Sequence, residues 1–521
     1  MRQTSVAGLA LALALALAPT ASASPLLTLR QDGATVLRDD RYLPADAPAI
    51  RARTPAAPAR HGVRAAAAAR GPERTVRVEL ARMLAAGAID RATHDAQRST
   101  YAGARRRHRK LRGARRAALG AVLRNLDETT ARGDLTVSRL PALFETVARN
   151  RQWWSNGPLL SNGRRVSFQG SPLVWQYYAG EGLQIQWLGT FGKANALWKS
   201  RTHDDDLRTL LDAALGLAAQ RAGGIAFEYL FDFDGGRPPW VSGLAQATGI
   251  QALSRAAVRL AEPRYFEAAR AALGVFRAAP PGGVRVSTPL GAHYLIYSFA
   301  PQLRVLNAFT QAVNGLHDFA LLANDTEGRA MFAAGEAQLR AELPAYDTGS
   351  WSRYSLRREA DLSYHKLARD FLRNLCMRLE EDAARVPAAA PTTGGATPAA
   401  APPAVAPADP AQYCATAQRF TGYLRRPPVV TLVSRRARAG KPAGLRLELS
   451  KPAHVKLAVR RGRRTVTVLA ARLASGRHTL VWARPRTATG YEVMLRATDL
   501  AGNVGSTTGR LDVLQARGKR R

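Results

Sequence analysis

The chain has 521 residues and an apolar share of 46%, too long for one compact domain and apolar enough for real cores, so two or three domains are expected. Its formal net charge of +37 directs attention to polyanions: acidic polysaccharide, nucleic acid or an anionic cell envelope. No nucleic-acid-binding motif accompanies the charge, and no P-loop, G-x-S-x-G, H-E-x-x-H or C-x-x-C occurs, so neither nucleic acid, nucleotide nor metal is expected as partner or cofactor. Arg and Ala dominate throughout while Lys is scarce, so compositional bias is the competing account of the charge.

Arg2 precedes an apolar run from Val6 to Ala18, and Ala21-Ser22-Ala23 offers small residues for cleavage. Residues 1–23 are therefore expected to be a secretory signal peptide, with the remainder secreted or otherwise extracytoplasmic. That run is too short to anchor the chain, and no later segment reaches transmembrane length. Residues 24–75 are rich in Ala, Pro and Arg, with Pro44, Pro48, Pro55 and Pro58 breaking any helix, and are expected to be mostly disordered. Residues 76–148 read as helical and basic. Leu80, Met83 and Leu84 share a face, and Leu111, Leu119, Val122, Leu123 and Leu126 continue in helical steps. Between them Arg105–Lys110 is a dense basic run, either a solvated helix face or a polyanion site.

Residues 149–427 bring tryptophans and tyrosines in quantity, then amphipathic helices near 206–221, 244–261, 264–277, 304–322, 327–342 and 360–383. Short connections favour antiparallel neighbours, and paired helices with an aromatic mouth suggest an α/α barrel or toroid. A low-complexity insert, 386–410, interrupts it. Cys376 and Cys414 bracket this insert and are read as a disulfide, with two buried free thiols as the alternative. Residues 428–515 alternate apolar with polar residues in short runs, as in an all-β Ig-like or fibronectin-like sandwich, and 516–521 is a basic tail. The chain is thus multidomain and mainly α, with a C-terminal all-β sandwich.

One segment combines chemistry-bearing residues at unusual density. Tyr346–His365 contains the turn Asp347-Thr348-Gly349-Ser350, the pair Arg357-Arg358, and Tyr354, Tyr364 and His365. Tyrosine, arginine and histidine together can hold an anionic substrate and move a proton. Tyr346-Asp347-Thr348-Gly349-Ser350, Tyr354-Ser355-Leu356-Arg357 and Tyr364-His365 resemble the Y-D-T-G-S, Y-x-L-R and Y-H pattern of the D-glucuronyl C5-epimerase C-terminal domain. Two further blocks are similar to that family: Trp240–Gln246, and Tyr297–Asp318 with Val305-Leu306-Asn307, Phe309, Gly315-Leu316 and Asp318. The resemblance covers roughly Trp153–Leu424 and implies inversion of C5 in a hexuronate residue of an acidic polysaccharide.

That reaction removes a proton from a carbon next to a carboxylate, neutralises the carboxylate, and returns a proton to the opposite face. Tyrosine can serve as base if a neighbouring cation lowers its pKa. The resemblance implies that Tyr297 and Tyr364 are catalytic and that Tyr354 and Arg357 bind substrate, with Arg357 as the carboxylate clamp. His365, Trp240 and Gln246 join the substrate-binding candidates, and Glu181, with Gln184 and Gln186, can face the sugar. The family places a glutamate immediately before the first tyrosine; this chain has Ile296. A uronate lyase shares the C5 carbanion, and a non-catalytic envelope glycan-binding protein needs no glutamate, so both stand beside the epimerase.

The competing structural readings are specific. Tyr364, Leu367 and Phe371 share a helical face and can be core; His365 can be a hydrogen-bonded structural histidine; Trp240 and Gln246 can be packing and capping residues. Asp204-Asp205-Asp206 suits a helix start. Asp232-Phe233-Asp234-Gly235 is similar to a calcium loop but has no glutamate at the twelfth position.

Overall fold

The computed structural model describes residues 24–44, 74–385 and 409–515. The expected signal peptide, the centre of the low-complexity insert and the basic tail lie outside the described residues.

Residues 24–44 correct part of the disorder expected for residues 24–75, of which 45–73 lie outside the described residues. They form strands β1 (Ser24–Leu29) and β2 (Thr35–Asp40), joined by a turn in which Gly33 adopts φ +86°. The apolar residues in this Pro- and Arg-rich stretch decide the outcome: Leu26, Leu29 and Leu43 are buried. β1 pairs in parallel with β3 (Arg165–Phe168), which continues antiparallel to β4 (Trp175–Tyr178) and β5 (Gly182–Ile185), giving the order β2-β1-β3-β4-β5.

Helices α1 (Val76–Ala85), α2 (Arg91–Lys110), α3 (Gly113–Ala131) and α4 (Leu140–Asn156) occupy the expected basic region. Thr75 and Asp90 cap the first two by accepting from Val78 and Thr93 backbone N–H groups. The expected boundary at residue 149 falls inside α4. Leu80, Leu119, Leu123 and Trp153 share one continuous core with the following helices, so this region is part of the same domain.

The helical ring then runs through α5 (Trp187–Ser200), α6 (Asp204–Leu215), α7 (Gly243–Arg259), α8 (Arg264–Ala271), α9 (Gly274–Arg277), α10 (Leu306–Leu322), α11 (Thr326–Glu342), α12 (Leu362–Arg385) and α13 (Pro410–Tyr423). α7 packs against α5 and α10, and α10 packs against α11 and α12, in the manner of an α/α toroid. α7 and α10 are nearly all buried, as central helices of such a ring must be. Their approach is close enough that a Cβ on Gly315 would stand 2.4 Å from the Ala247 carbonyl oxygen. Asp318 fixes the helices relative to one another. Its carboxylate accepts from Gln251 and Arg255 of α7 and from Arg378 of α12, which holds it well below the usual carboxylate range despite burial.

Short hairpins cap one end of the ring: β6 (Ala219–Arg221) with β7 (Gly224–Ala226), β8 (Arg285–Thr288) with β9 (Gly291–Tyr294), and β10 (Arg353–Ser355) with β11 (Arg358–Glu359). β6 takes the last residues expected for the 206–221 helix, which ends at Leu215.

Cys376 of α12 and Cys414 of α13 are joined in a disulfide, with their Cα atoms 5.1 Å apart. The bond closes a loop with a sequence separation of 38, so replacing both cysteines with serine is expected to destabilise the protein by about 3–4 kcal/mol. Urea midpoints of parent and variant check this.

The C-terminal domain is the expected sandwich. One sheet has β12 (Val430–Leu432), β14 (Ala443–Leu449) and β17 (Gly476–Trp482); the other has the order β13 (Arg436–Arg438), β19 (Val504–Leu514), β18 (Gly490–Asp499), β15 (Ala453–Arg461) and β16 (Arg464–Leu473). Leu445, Leu447, Val455, Leu457, Val493 and Leu495 fill its core, one from every second position. Lys451 and Asp499 form a buried ion pair at 2.8 Å, and Lys451 also donates to the carbonyls of Tyr423 and Arg426, tying the end of α13 to the sandwich.

Candidate active site

The hairpin end of the ring opens into a cavity whose polar and aromatic lining comes from distant parts of the chain. β3 supplies Arg165, β4 supplies Tyr178, and the start of α5 supplies Gln186. Tyr229 and Trp240 face one another across a backbone bridge, with ring centroids 4.3 Å apart. Ile296 and Tyr297 follow β9, Asn307 opens α10, and Tyr364 sits in the first turn of α12. Asp361 sets that first turn by accepting from the Tyr364 backbone N–H at 2.9 Å. Phe231 and Phe233 complete an aromatic wall with Trp240.

Tyr297 packs against Trp240 and stacks on Phe299, with centroids 5.4 and 5.2 Å away. Tyr354, on β10, meets Tyr364 at 4.6 Å between ring centroids. The Arg358 guanidinium lies 4.3 Å from the Tyr354 ring centroid. Burial pushes every one of these phenols up. Tyr354 rises to about 12 and Tyr297, Tyr364, Tyr178 and Tyr229 rise further. The expectation of a lowered tyrosine is therefore corrected for the substrate-free site. Cations work against burial unevenly: Arg358 opposes the rise at Tyr354 and Tyr364, and Arg165 does so at Tyr178 and Tyr229. The largest effects on Tyr297, burial first, act upward. Arg165 is the only charged residue lining the cavity among the described residues, and its NH1 donates to the Pro44 carbonyl at 2.7 Å.

Tyr297, Tyr364 and Trp240 thus meet at one cavity, with Tyr354 directly behind Tyr364. The other candidates do not join them. Arg357 is exposed and lines a different cleft, because the β10–β11 turn points it away and leaves Arg358 over Tyr354. Gln246 is buried in α7 with its amide fully used: its oxygen accepts from Phe227, and its nitrogen donates to Ile225 and Ala272. Glu181 lies in the β4–β5 turn beside Asp232, outside the cavity lining; burial and that neighbour push it up to about 7.

His365 is wholly buried and stacked on Trp351 at 3.9 Å. Its Nε2–H donates to the Phe420 carbonyl and its Nδ1 faces the Ser352 hydroxyl, so it locks α12 to α13 instead of touching substrate. Burial lowers its pKa to about 4, against 6.5 in the unfolded chain. The unfolded state then binds the proton first, so stability contributed by neutral His365 is complete above about 6.5 and is lost as the pH falls toward about 4. Unfolding free energies from urea titrations across that window are expected to fall by up to about 3 kcal/mol more in the parent than in His365→Gln.

Sequence reasoning missed Arg165, Tyr178 and Tyr229. The alternation in Trp175–Tyr178 and Leu183–Gln186 around Gly180-Glu181-Gly182 is a hairpin signal that would have placed Tyr178 on a strand.

Residues 222–384 match the family model described as D-glucuronyl C5-epimerase C-terminus, a narrower stretch than Trp153–Leu424. A D-glucuronyl C5-epimerase from Caenorhabditis elegans is 34% identical over 145 residues, covering 25% of this chain and 24% of that protein. The chain therefore matches about a quarter of that relative's length. The resemblance read from the three motif blocks is borne out over this segment. Among solved structures, an endo-beta-1,4-glucanase from Acetobacter xylinum is similar with a TM-score of 0.30 at 14% identity, over 40% of this chain and 68% of that one. An unsaturated glucuronyl hydrolase specific for heparin gives 0.31 at 12%, over 46% and 60%. Fibronectin(III)-like modules from Clostridium thermocellum give 0.14 at 18%, over 17% and 100%.

Proposed function

We propose that the toroid removes and returns the C5 proton of a hexuronate residue in an acidic polysaccharide, as an exported C5-epimerase. The observation that carries this is the convergence of Tyr297 and Tyr364, from separate motif blocks within the segment that matches the epimerase family model, on one cavity that Arg165 also lines. Such a lining offers proton donors to a bound uronate.

The roles are assigned by position, since Tyr364 and Tyr297 both face the cavity. Arg165 pairs with the substrate carboxylate and stabilises the enediolate that forms when C5 loses its proton. Tyr364 as phenolate takes that proton, a form that burial disfavours and Arg358 favours. Tyr297, whose largest surrounding effects all keep it protonated, donates its proton to C5. The electron pair of the enediolate forms the new C–H bond, leaving Tyr297 as phenolate and Tyr364 as phenol. Exchange with solvent resets the pair. The apolar leader and the disulfide support an extracytoplasmic location.

Ile296 favours the second reading, a glycan-binding protein without turnover. It lines the cavity beside Tyr297, where the family has a glutamate. Ile296→Glu is expected to raise turnover by supplying a carboxylate to the proton relay; destabilisation with no gain would show a wall that tolerates no charge. NMR analysis of uronic-acid polymers after incubation tests the main proposal. Inverted C5 centres are expected. Unsaturated uronate would assign a lyase, and unaltered polymer that still binds would assign a lectin.

A further inference from the structure

Beside the tyrosine cavity lies a larger cleft of about 880 Å³, between the β10–β11 hairpin and the sandwich. The toroid contributes Arg353, Arg357 and Arg358; the sandwich contributes His454 and Arg472. None of these arginines forms an ion pair with a carboxylate among the described residues. The arginines outnumber the acids: Asp499 is charge-paired, and Asp361 and Glu359 remain as anions against four arginines. Asp499 is bound by Lys451, Asp361 caps α12, and Glu359 accepts from the Ser475 backbone N–H at 3.0 Å. Ser475–Glu359 and Asn503–Leu424 bonds, with buried Lys451, hold the two walls in place. The cleft abuts the cavity at one point, where Arg358 covers Tyr354 and Tyr354 touches Tyr364.

We infer that this interdomain cleft is a distal subsite for the acidic polysaccharide chain, and that the β-sandwich is part of the substrate-binding surface. The inference rests on the proposed function for the identity of the polymer. A chain whose reacting residue lies against Tyr364 continues past Arg358, which covers Tyr354, into the cleft, where the arginines meet the anionic groups of following residues. Arg357, which the motif pattern singled out, finds its place here. Arg472 comes from the sandwich alone, so its contribution separates a composite subsite from a property of the toroid.

Calorimetric binding of the full chain to a glucuronate-containing disaccharide and octasaccharide tests this, alongside a carboxyl-reduced and a sulfated octasaccharide. The octasaccharide is expected to bind more tightly than the disaccharide, with a steeper loss in salt. Arg472→Glu, an exposed position, is expected to weaken octasaccharide binding at least about threefold and leave the disaccharide unchanged. Loss of length dependence on carboxyl reduction would make carboxylate the recognised group; a gain on sulfation would extend it to sulfate. Equal affinity for both lengths, or an unchanged octasaccharide affinity in Arg472→Glu, would overturn the subsite. Length- and Arg472-dependent binding without any C5 chemistry would leave the subsite standing and sink the epimerase reading instead.

Discussion

Tyr364→Phe is expected to lower C5 turnover by about 10²–10⁴-fold, the usual range for loss of a positioned acid or base. The substitution removes one hydroxyl and leaves the ring against Tyr354 in place. It takes away the group that faces the cavity from the first turn of α12. The stability cost is expected to stay near about 1 kcal/mol because the Tyr354–Tyr364 ring contact and the Arg358 contact both remain. Turnover with saturating polymer and urea midpoints separate the two effects. A large loss of turnover with a small loss of stability supports the assignment; unchanged turnover would return Tyr364 to the core-aromatic reading.

Arg165→Met is expected to cost about 10²–10³-fold in turnover, because among the described residues no other cation lines the cavity to balance charge on the enediolate. It also leaves the Pro44 carbonyl without its guanidinium partner, so a stability loss of about 1–3 kcal/mol is expected alongside. Arg165→Lys separates these consequences. It keeps a positive charge but not the planar fork, and is expected to recover part of the turnover while binding the carboxylate less well. Full activity in both variants would show that the substrate carboxylate is held elsewhere.

The sequence carried the ring and the sandwich well because both rest on periodicity. Leu306–Leu322 and Thr326–Glu342 follow closely the helices expected at 304–322 and 327–342, and Leu445, Leu447 and Leu449 alternate as a half-buried strand must. Residues 24–44 were misread because composition masked three leucines whose burial depends on residues far along the chain: β3 pairs with β1, and Val174 packs with Leu26 and Leu43. The site was legible only in part. The motif blocks mix residues that line the cavity with residues that hold the ring together. Tyr297 and Tyr364 belong to the first kind; His365, Gln246 and Asp318 belong to the second. Pattern alone cannot sort them, because a buried hydrogen bond and a substrate contact call for the same polar side chains. Arg357 and Arg358 are adjacent in sequence, and only the path of the hairpin shows which of them covers Tyr354.

The most direct test of the central claim is deuterium incorporation at C5 of a uronic-acid polymer incubated with the protein in D₂O, read by mass spectrometry and NMR. Exchange reports proton removal whether or not the centre inverts. Deuterium is expected at C5 with the parent protein and none with Tyr297→Phe/Tyr364→Phe. A parent that binds the polymer yet incorporates no deuterium, or a double variant that exchanges as fast as the parent, would contradict it.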